Sequence, residues 1–245
     1  MKKIKLAAIF AALVSMFTFS SCLDSSEGNS YDCVAIVSVK GSALGGYYLL
    51  SDDGVTFNPV SSTVLENIKL TDGTYLQRFY AAMKFQEGEV LGNEKKSYKI
   101  TSVDVYGQIP YKNFNTQPDT LKGDFGIANI SSAAWAANGY VNIPVTYYYP
   151  TTSNNAVNFN DFNLYATDAQ QDTLYTVFQQ TKERSASNAQ ATQLMSFKMP
   201  FDNSQFANYY YQLEPKSDSI VIKITAKILD GKPLVKTAKY RYTSR

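Results

Sequence analysis

The sequence predicts an all-β protein built from two successive β modules, and three observations support this. Apolar and polar residues alternate with a period of two through several segments, which is the pattern of half-buried strands. Asp-Gly pairs separate such segments, as they do in tight hairpin turns. Aromatic residues, which favour strands, are abundant, with 19 Tyr and 14 Phe in 245 residues.

The first module is predicted to contain five strands. They cover residues 31–40, 47–50, 55–57, 79–86 and 98–106. The second and third form a hairpin that turns at Asp53-Gly54, because Gly adopts positive φ without steric cost. Asp52 and Asp53 are therefore interpreted as turn residues rather than as a catalytic pair. Adjacent strand residues also point to opposite faces. The short alternating strands are those of a small barrel.

A change of composition predicts a domain boundary within residues 107–124, which contain Pro110, Pro118 and many polar residues. The strands predicted beyond it cover residues 139–149, 159–166, 174–180, 194–199, 219–228 and 234–242. Pro144 cannot donate to a ladder, so its strand is predicted to be an edge strand or to carry a bulge. The pattern over residues 201–214 is ambiguous and is compatible with one short helix. Several short strands separated by turns indicate a sandwich or a barrel.

The N-terminus has the layout of a bacterial export signal. Lys2, Lys3 and Lys5 precede an uncharged run over residues 6–19, which is too short to span a bilayer. The string Phe19-Ser20-Ser21-Cys22 then resembles the lipobox of Gram-negative lipoproteins, which implies cleavage before Cys22 and lipidation of its sulfur. Residues 1–21 are thus predicted to be a signal peptide, and the polar residues 22–30 a flexible tether. Leu23 after the cysteine favours the outer membrane, with the periplasmic face and the cell surface both open.

Composition excludes several classes of function. The mature chain would have 224 residues with 20 basic and 21 acidic side chains, so it lacks the basic surface that nucleic-acid binding needs. There is no histidine, which removes the commonest general base and metal ligand. Cys33 would be the single remaining thiol, and its apolar β-branched surroundings predict a small buried hydrophobe. No catalytic residue, metal site or cofactor is expected.

One polar segment offers side-chain oxygens of the kind that bind calcium, from Asn158, Asn160, Asp161 and Asn163. The segment lacks the glycine and the terminal glutamate of an EF-hand loop. A polar loop that enters a strand is therefore the preferred interpretation.

The order of segments resembles one family. Val37-Ser38-Val39-Lys40, the hairpin from Tyr47 to Pro59, Tyr98-Lys99-Ile100 and Gly139-Tyr140-Val141-Asn142-Ile143 follow the lipobox in turn. This layout is similar to that of the NigD-like lipoproteins over about residues 31–242. The resemblance implies an OB-fold-like barrel, assigned to residues 31–115, and an antiparallel β-sandwich, assigned to residues 116–245. It carries over no catalytic residue, and its link to bacteriocin production or immunity is one of gene neighbourhood.

The predicted function is a non-enzymatic binding or assembly role of a lipid-anchored outer-membrane protein. Exposed tyrosines give rigid contact area with a polar tip. The candidate binding aromatics are Tyr147, Tyr149, Tyr209, Tyr210 and Tyr211. Their partner would be an envelope protein or a glycan, and a glycan-binding accessory lipoprotein is the first alternative. The second is a glycosidase that uses two carboxylates about 5 to 10 Å apart.

Overall fold

The computed structural model describes residues 31–92, 94–115, 125–149, 159–181, 189–199, 209, 212–213 and 218–241. Within these ranges strands predominate, and two short 3-10 helices cover Ser62–Ile68 and Phe159–Asp161, which confirms the all-β prediction. The strands of the first half are β1 Cys33–Ser42, β2 Gly46–Ser51, β3 Thr56–Pro59, β4 Arg78–Phe85 and β5 Ser97–Gln108. Those of the second half are β6 Tyr111–Asn113, β7 Asn129–Ile130, β8 Trp135–Ala137, β9 Tyr140–Tyr149, β10 Phe162–Gln170, β11 Thr173–Gln180, β12 Ala189–Lys198, β13 Ser219–Lys227 and β14 Pro233–Arg241.

The chain divides into two compact units, one ending at Ile109 and the other beginning at Pro110. This division lies within the Pro-containing segment 107–124 but a few residues before the limit of 115 assigned from the sequence. The difference arises at β6, because this short strand pairs with β12 of the second unit.

The first unit is a closed barrel with the strand order β1-β2-β3-β5-β4. A five-stranded barrel is the architecture of OB folds, as the resemblance implied. Alternation along the strands sends one face inward, and the inward side chains of Val37, Leu49, Phe79 and Ile100 are fully buried. Gly54 closes the predicted hairpin with φ 79°, and its N–H donates to the Ser51 carbonyl over 3.0 Å.

The second unit is a sandwich of two sheets with one shared core. One sheet has the order β10-β11-β13-β14, and the other has the order β6-β12-β9-β7, with β8 also on β9. The sandwich is confirmed, but its sheets are mixed, because β11 pairs with β13 and β6 with β12 in parallel. The parallel β11–β13 pair arises because β12 lies in the opposite sheet. The chain therefore crosses between the sheets before β13 returns beside β11.

Pro144 occupies an internal strand whose register with β12 is unbroken, so the prediction of an edge strand or a bulge there was wrong. β9 pairs with β12 on one side and with β7 and β8 on the other. The β8 pairing ends at Asn142 and the β7 pairing begins at Val145. Pro144 therefore lies where one neighbour gives way to the next, and its carbonyl accepts from Ser131 N–H at 2.9 Å. The missing N–H falls at this break in the ladder.

Candidate functional site

The tyrosines proposed from the sequence do not form an exposed cluster among the described residues. Tyr147 is 8% exposed and packs against Phe162 in the sandwich core, with ring centres 5.2 Å apart. Its position on β9 is inward-facing, so it does not offer a binding surface. Tyr209 is half-buried against the same core, and its hydroxyl donates to the Ala166 carbonyl at 3.4 Å.

The remaining proposed residues lie outside what the structure describes. These are Cys22, Tyr210, Tyr211 and the side chain of Tyr149. Tyr209 and Gln212 are helical, in the segment where one short helix was left open.

Asp52 forms a buried ion pair that the sequence did not indicate. The Arg78 guanidinium donates to both carboxylate oxygens of Asp52, over 2.9 and 2.6 Å, and to Ser38 Oγ over 3.0 Å. The Arg78 side chain has no exposed surface and that of Asp52 is only 5% exposed. Two-point binding of this kind fixes geometry as well as charge. Asp52 is thus a structural residue and not one of two free carboxylates in a cleft.

The ionisable groups around this ion pair are shifted toward their neutral forms. Burial, with a smaller effect from Asp52, raises the pKa of Asp53 above its usual range. Burial also raises the pKa of Tyr80 to about 12 and that of Cys33 to about 11. A thiol or phenol whose pKa is raised by burial is a poor nucleophile at neutral pH. Neither Tyr80 nor Cys33 is therefore activated as a nucleophile.

The segment considered for calcium is engaged in protein contacts where the structure describes it. The side-chain oxygen of Asn163 accepts from Lys112 Nζ at 2.7 Å, and the Asp161 backbone carbonyl accepts from the backbone N–H of Thr181 at 2.7 Å. A cationic ammonium at the Asn163 oxygen opposes a metal ion there. Among the described residues, no three acidic or cysteine side chains are grouped as metal ligands.

The sandwich presents one open sheet face, which we call the outer sheet face. Register places three rows side by side on β11, β13 and β14: Thr173–Val221–Lys239, Tyr175–Lys223–Thr237 and Val177–Thr225–Val235. The alternate row, Leu174–Ile222–Ala238, is buried in the core. Side chains of the outer rows are half-buried or exposed, so this face is available for contact.

The outer sheet face is basic although residues 22–245 together carry 20 basic and 21 acidic side chains. Lys223 and Lys239 lie on it diagonally across neighbouring strands, and Arg241 stands one step further along β14. The Lys223 ammonium lies 5.2 Å from the centre of the Tyr175 ring, a cation–π contact. On the flanking strand β10, Asp168 is opposite Tyr175, but its carboxylate accepts from the Ala169 N–H and the Gln170 amide.

The face ends at β14. This strand is last in its sheet and, within the described ranges, pairs only with β13, while β8 of the other sheet lies against it. The sequence predicts which side chains of β13 share a face, because residues 219–228 alternate clearly. It does not predict that these side chains form one surface with those of β11 and β14, since this depends on the parallel pairing of β11 with β13.

A second exposed feature lies on the barrel, and we call it the tyrosine platform. Tyr31 and Tyr106 meet edge to face, with ring centres 6.0 Å apart, and the Tyr31 hydroxyl donates to Asp104 Oδ2 at 2.5 Å. This hydrogen bond to the carboxylate raises the pKa of Tyr31 to about 12. Tyr106 is 61% exposed. The sequence does not predict the platform, because its two tyrosines are isolated and far apart in the chain.

Solved structures share this fold. A candidate lipoprotein from Bacteroides fragilis superposes with a TM-score of 0.56 at 14% identity, covering 86% of this chain and 99% of that one. A candidate toxin-related protein from Parabacteroides distasonis reaches 0.54 at 16% identity, covering 86% and 94%. A NigD-like immunity protein from Bacteroides caccae also matches, with a TM-score of 0.45 at 14% identity, covering 88% and 99%.

The NigD-like description is thus found among the structural matches as well as in the resemblance drawn from the sequence. At these identities the matches show the fold alone, and the lower TM-score of the third adds nothing to that. No protein-family model matches this chain, and no curated protein matches it. In the described part of the chain, no helix has the length and apolar character needed to cross a membrane.

Proposed function

We propose that this chain is a lipid-anchored, non-enzymatic binding protein of the bacterial envelope. In this proposal Cys22 carries the lipid, the outer membrane holds the anchor, and the outer sheet face of the sandwich binds an envelope protein. The single observation that carries the proposal is the outer sheet face itself. It joins basic side chains to half-exposed aromatic and aliphatic ones on one surface, and so combines charge complementarity with contact area.

The hydrogen bonds of two barrel carboxylates argue against a glycosidase that uses them. Both oxygens of Asp52 are held by Arg78, and Asp104 accepts from Tyr31. A carboxylate glycosidase needs one protonated and one ionised carboxyl facing each other across a cleft. Neither Asp52 nor Asp104 is available for such a role while these bonds persist.

The link to bacteriocin production or immunity belongs to this proposal as its most specific part. It rests on the resemblance of residues 31–242 to the NigD-like lipoproteins. An immunity role would require that the partner be a secreted or envelope-bound toxin, and an acidic surface on that partner would match the outer sheet face.

A glycan is the second candidate ligand, favoured by Tyr175. An aromatic ring beside an ammonium group is suited to a sugar that carries a carboxylate or sulfate. A glycan array probed with the chain from Ser25 onward would distinguish this ligand, because an acidic glycan would bind in the absence of any protein.

The test uses a photo-crosslinker on the outer sheet face in intact cells. p-Benzoylphenylalanine at Thr237, an exposed position in the middle row, is expected to capture a specific protein. The charge-reversed variant Lys223→Glu/Lys239→Glu should reduce that adduct at least tenfold. The control Lys69→Glu/Lys99→Glu changes charge equally on exposed lysines of the barrel and should leave it intact. Equal adducts in both variants, or no adduct in the parent, would remove the outer sheet face as the binding site.

A further inference from the structure

The tyrosine platform lies at the point where the predicted tether enters the barrel. Tyr31 is the first described residue and lies nine positions after the proposed lipid-bearing Cys22, with eight residues between them. Such a segment spans at most about 30 Å when fully extended, and a flexible chain of this length averages about 15–18 Å. The surface around Tyr31 is therefore held close to the lipid headgroups whenever the anchor is in place.

The exposed side chains at this point have the chemistry of a membrane interface. Tyr106 is exposed beside Tyr31, and the exposed Val34 stands in the same row as Ala82 and Asp104 across β1, β4 and β5. Tyrosine is enriched at the headgroup level of bilayers because its ring is apolar and its hydroxyl is polar. The platform thus offers aromatic and aliphatic surface where the chain meets the lipid.

The charges that face the platform are compatible with lipid headgroups. The Asp104 carboxylate accepts from the Tyr31 hydroxyl at 2.5 Å and from the Asn67 amide at 3.4 Å. Asp32, next to Tyr31, accepts from the Phe85 N–H at 2.7 Å. Lys84 pairs with Ser102 on the same outward face and can reach a lipid phosphate. Asp104 and Asp32 therefore accept hydrogen bonds from neutral donors and keep their negative charges, and the half-exposed Lys84 supplies the cation that contacts lipid phosphates.

We propose that the tyrosine platform docks the barrel onto the lipid headgroup layer beside the anchor. The occupant of this surface is a bilayer rather than a protein or a second copy of the chain. The inference rests on the anchor at Cys22 from the proposed function, because the tether is what brings the platform to the membrane. Docking gives the barrel a fixed orientation, which the tether alone does not.

The test places a fluorophore beside the platform of the full lipidated chain. Ser102 is half-exposed on the same face of β5 as Asp104, so Ser102→Cys in a Cys33→Val background carries an NBD label there. The protein is inserted into vesicles of phosphatidylethanolamine and phosphatidylglycerol that contain a nitroxide on the lipid headgroup. Docking predicts quenching of the label, and Val34→Ser/Tyr106→Ser should reduce the quenching at least twofold.

A matched variant controls for loss of exposed apolar surface in general. Leu44→Ser/Val60→Ser removes two exposed apolar side chains elsewhere on the barrel and should leave the quenching unchanged. Flotation of each protein with the vesicles is measured in parallel and reports on the anchor alone. Flotation without quenching would overturn docking and leave the anchor standing. Absence of flotation would overturn both, and energy transfer between labelled copies without quenching would assign the platform to a second copy.

Discussion

The buried ion pair of the barrel makes the sharpest prediction about stability. Arg78→Met removes a guanidinium that donates to both oxygens of Asp52 and to Ser38. The methionine fills much of the volume but leaves the Asp52 carboxylate, only 5% exposed, without this cation. Removing one partner of a buried pair costs about 3–5 kcal/mol. We expect Arg78→Met to lower the free energy of unfolding of the barrel by this amount. Arg78→Lys should lower it by less than Arg78→Met but still measurably, because a single ammonium cannot form the two-point contact.

A double substitution separates the ion pair from simple packing. Arg78→Met/Asp52→Leu removes both charges, so no buried carboxylate is left to desolvate. Replacing a buried pair by apolar groups is often neutral or stabilising. The double variant is therefore expected to be more stable than Arg78→Met alone. Arg241→Met, at an exposed position on β14, is the matched control and should change stability by less than about 0.5 kcal/mol.

Hydrogen exchange measured by mass spectrometry is the appropriate assay, because it reports on each strand separately. A loss of about 3–5 kcal/mol corresponds to exchange roughly 150 to 5,000 times faster at the protected amides of β1 and β4. Peptides from β9 and β13 of the second unit serve as internal references. If Arg78→Met accelerates exchange in β4 less than fivefold, the ion pair does not stabilise the barrel as described. The same follows if β4 exchanges faster in Arg78→Met/Asp52→Leu than in Arg78→Met.

Three further predictions concern the core and the anchor. Tyr147→Ala should cost about 3–5 kcal/mol in urea unfolding, whereas Tyr147→Phe should cost about 1 kcal/mol, since it keeps the buried ring and loses the hydroxyl with its 3.3 Å bond to Gln193; near-equal costs would contradict burial of the ring. Cys33 should react slowly with a thiol reagent at pH 7 and faster toward pH 11, because burial raises its pKa to about 11, and Cys33→Val should cost less than about 1.5 kcal/mol; rapid labelling at pH 7 would refute burial. Cys22→Ala should abolish globomycin-sensitive processing and detergent-phase partitioning, and a variant that still partitions would refute the anchor.

Much of the fold followed from local pattern. Alternation along residues 79–86 and 219–228 correctly predicted β4 and β13, and Asp53-Gly54 correctly predicted the hairpin between β2 and β3. The pattern worked here because these strands have one face in a core, so the period of two is imposed on the sequence. The Pro144 prediction failed because a missing N–H shows that a ladder is interrupted, without showing which neighbour is absent.

The candidate site followed from the sequence only in part. Tyrosines do form an exposed contact, but at Tyr31 and Tyr106. The predicted run of three contains Tyr147, which strand alternation buries. Tyr31 and Tyr106 stand 75 positions apart in the sequence. Their contact depends on β1 and β5 both lying beside β4 in the closed barrel. The Asp52–Arg78 pair likewise joins residues that are distant in the sequence. The sequence did not predict it, because turn chemistry explains Asp52 locally.

The sequence by itself determined the all-β class, the hairpin turns, the absence of histidine chemistry and the export layout at the N-terminus. These properties are local, because each is set by neighbouring residues or by composition. Only the tertiary structure decided which strands lie side by side, and hence the ion pair, the tyrosine platform and the outer sheet face. Such features depend on contacts between distant segments. Strand periodicity fixes which way a side chain points but not which strand will be its neighbour.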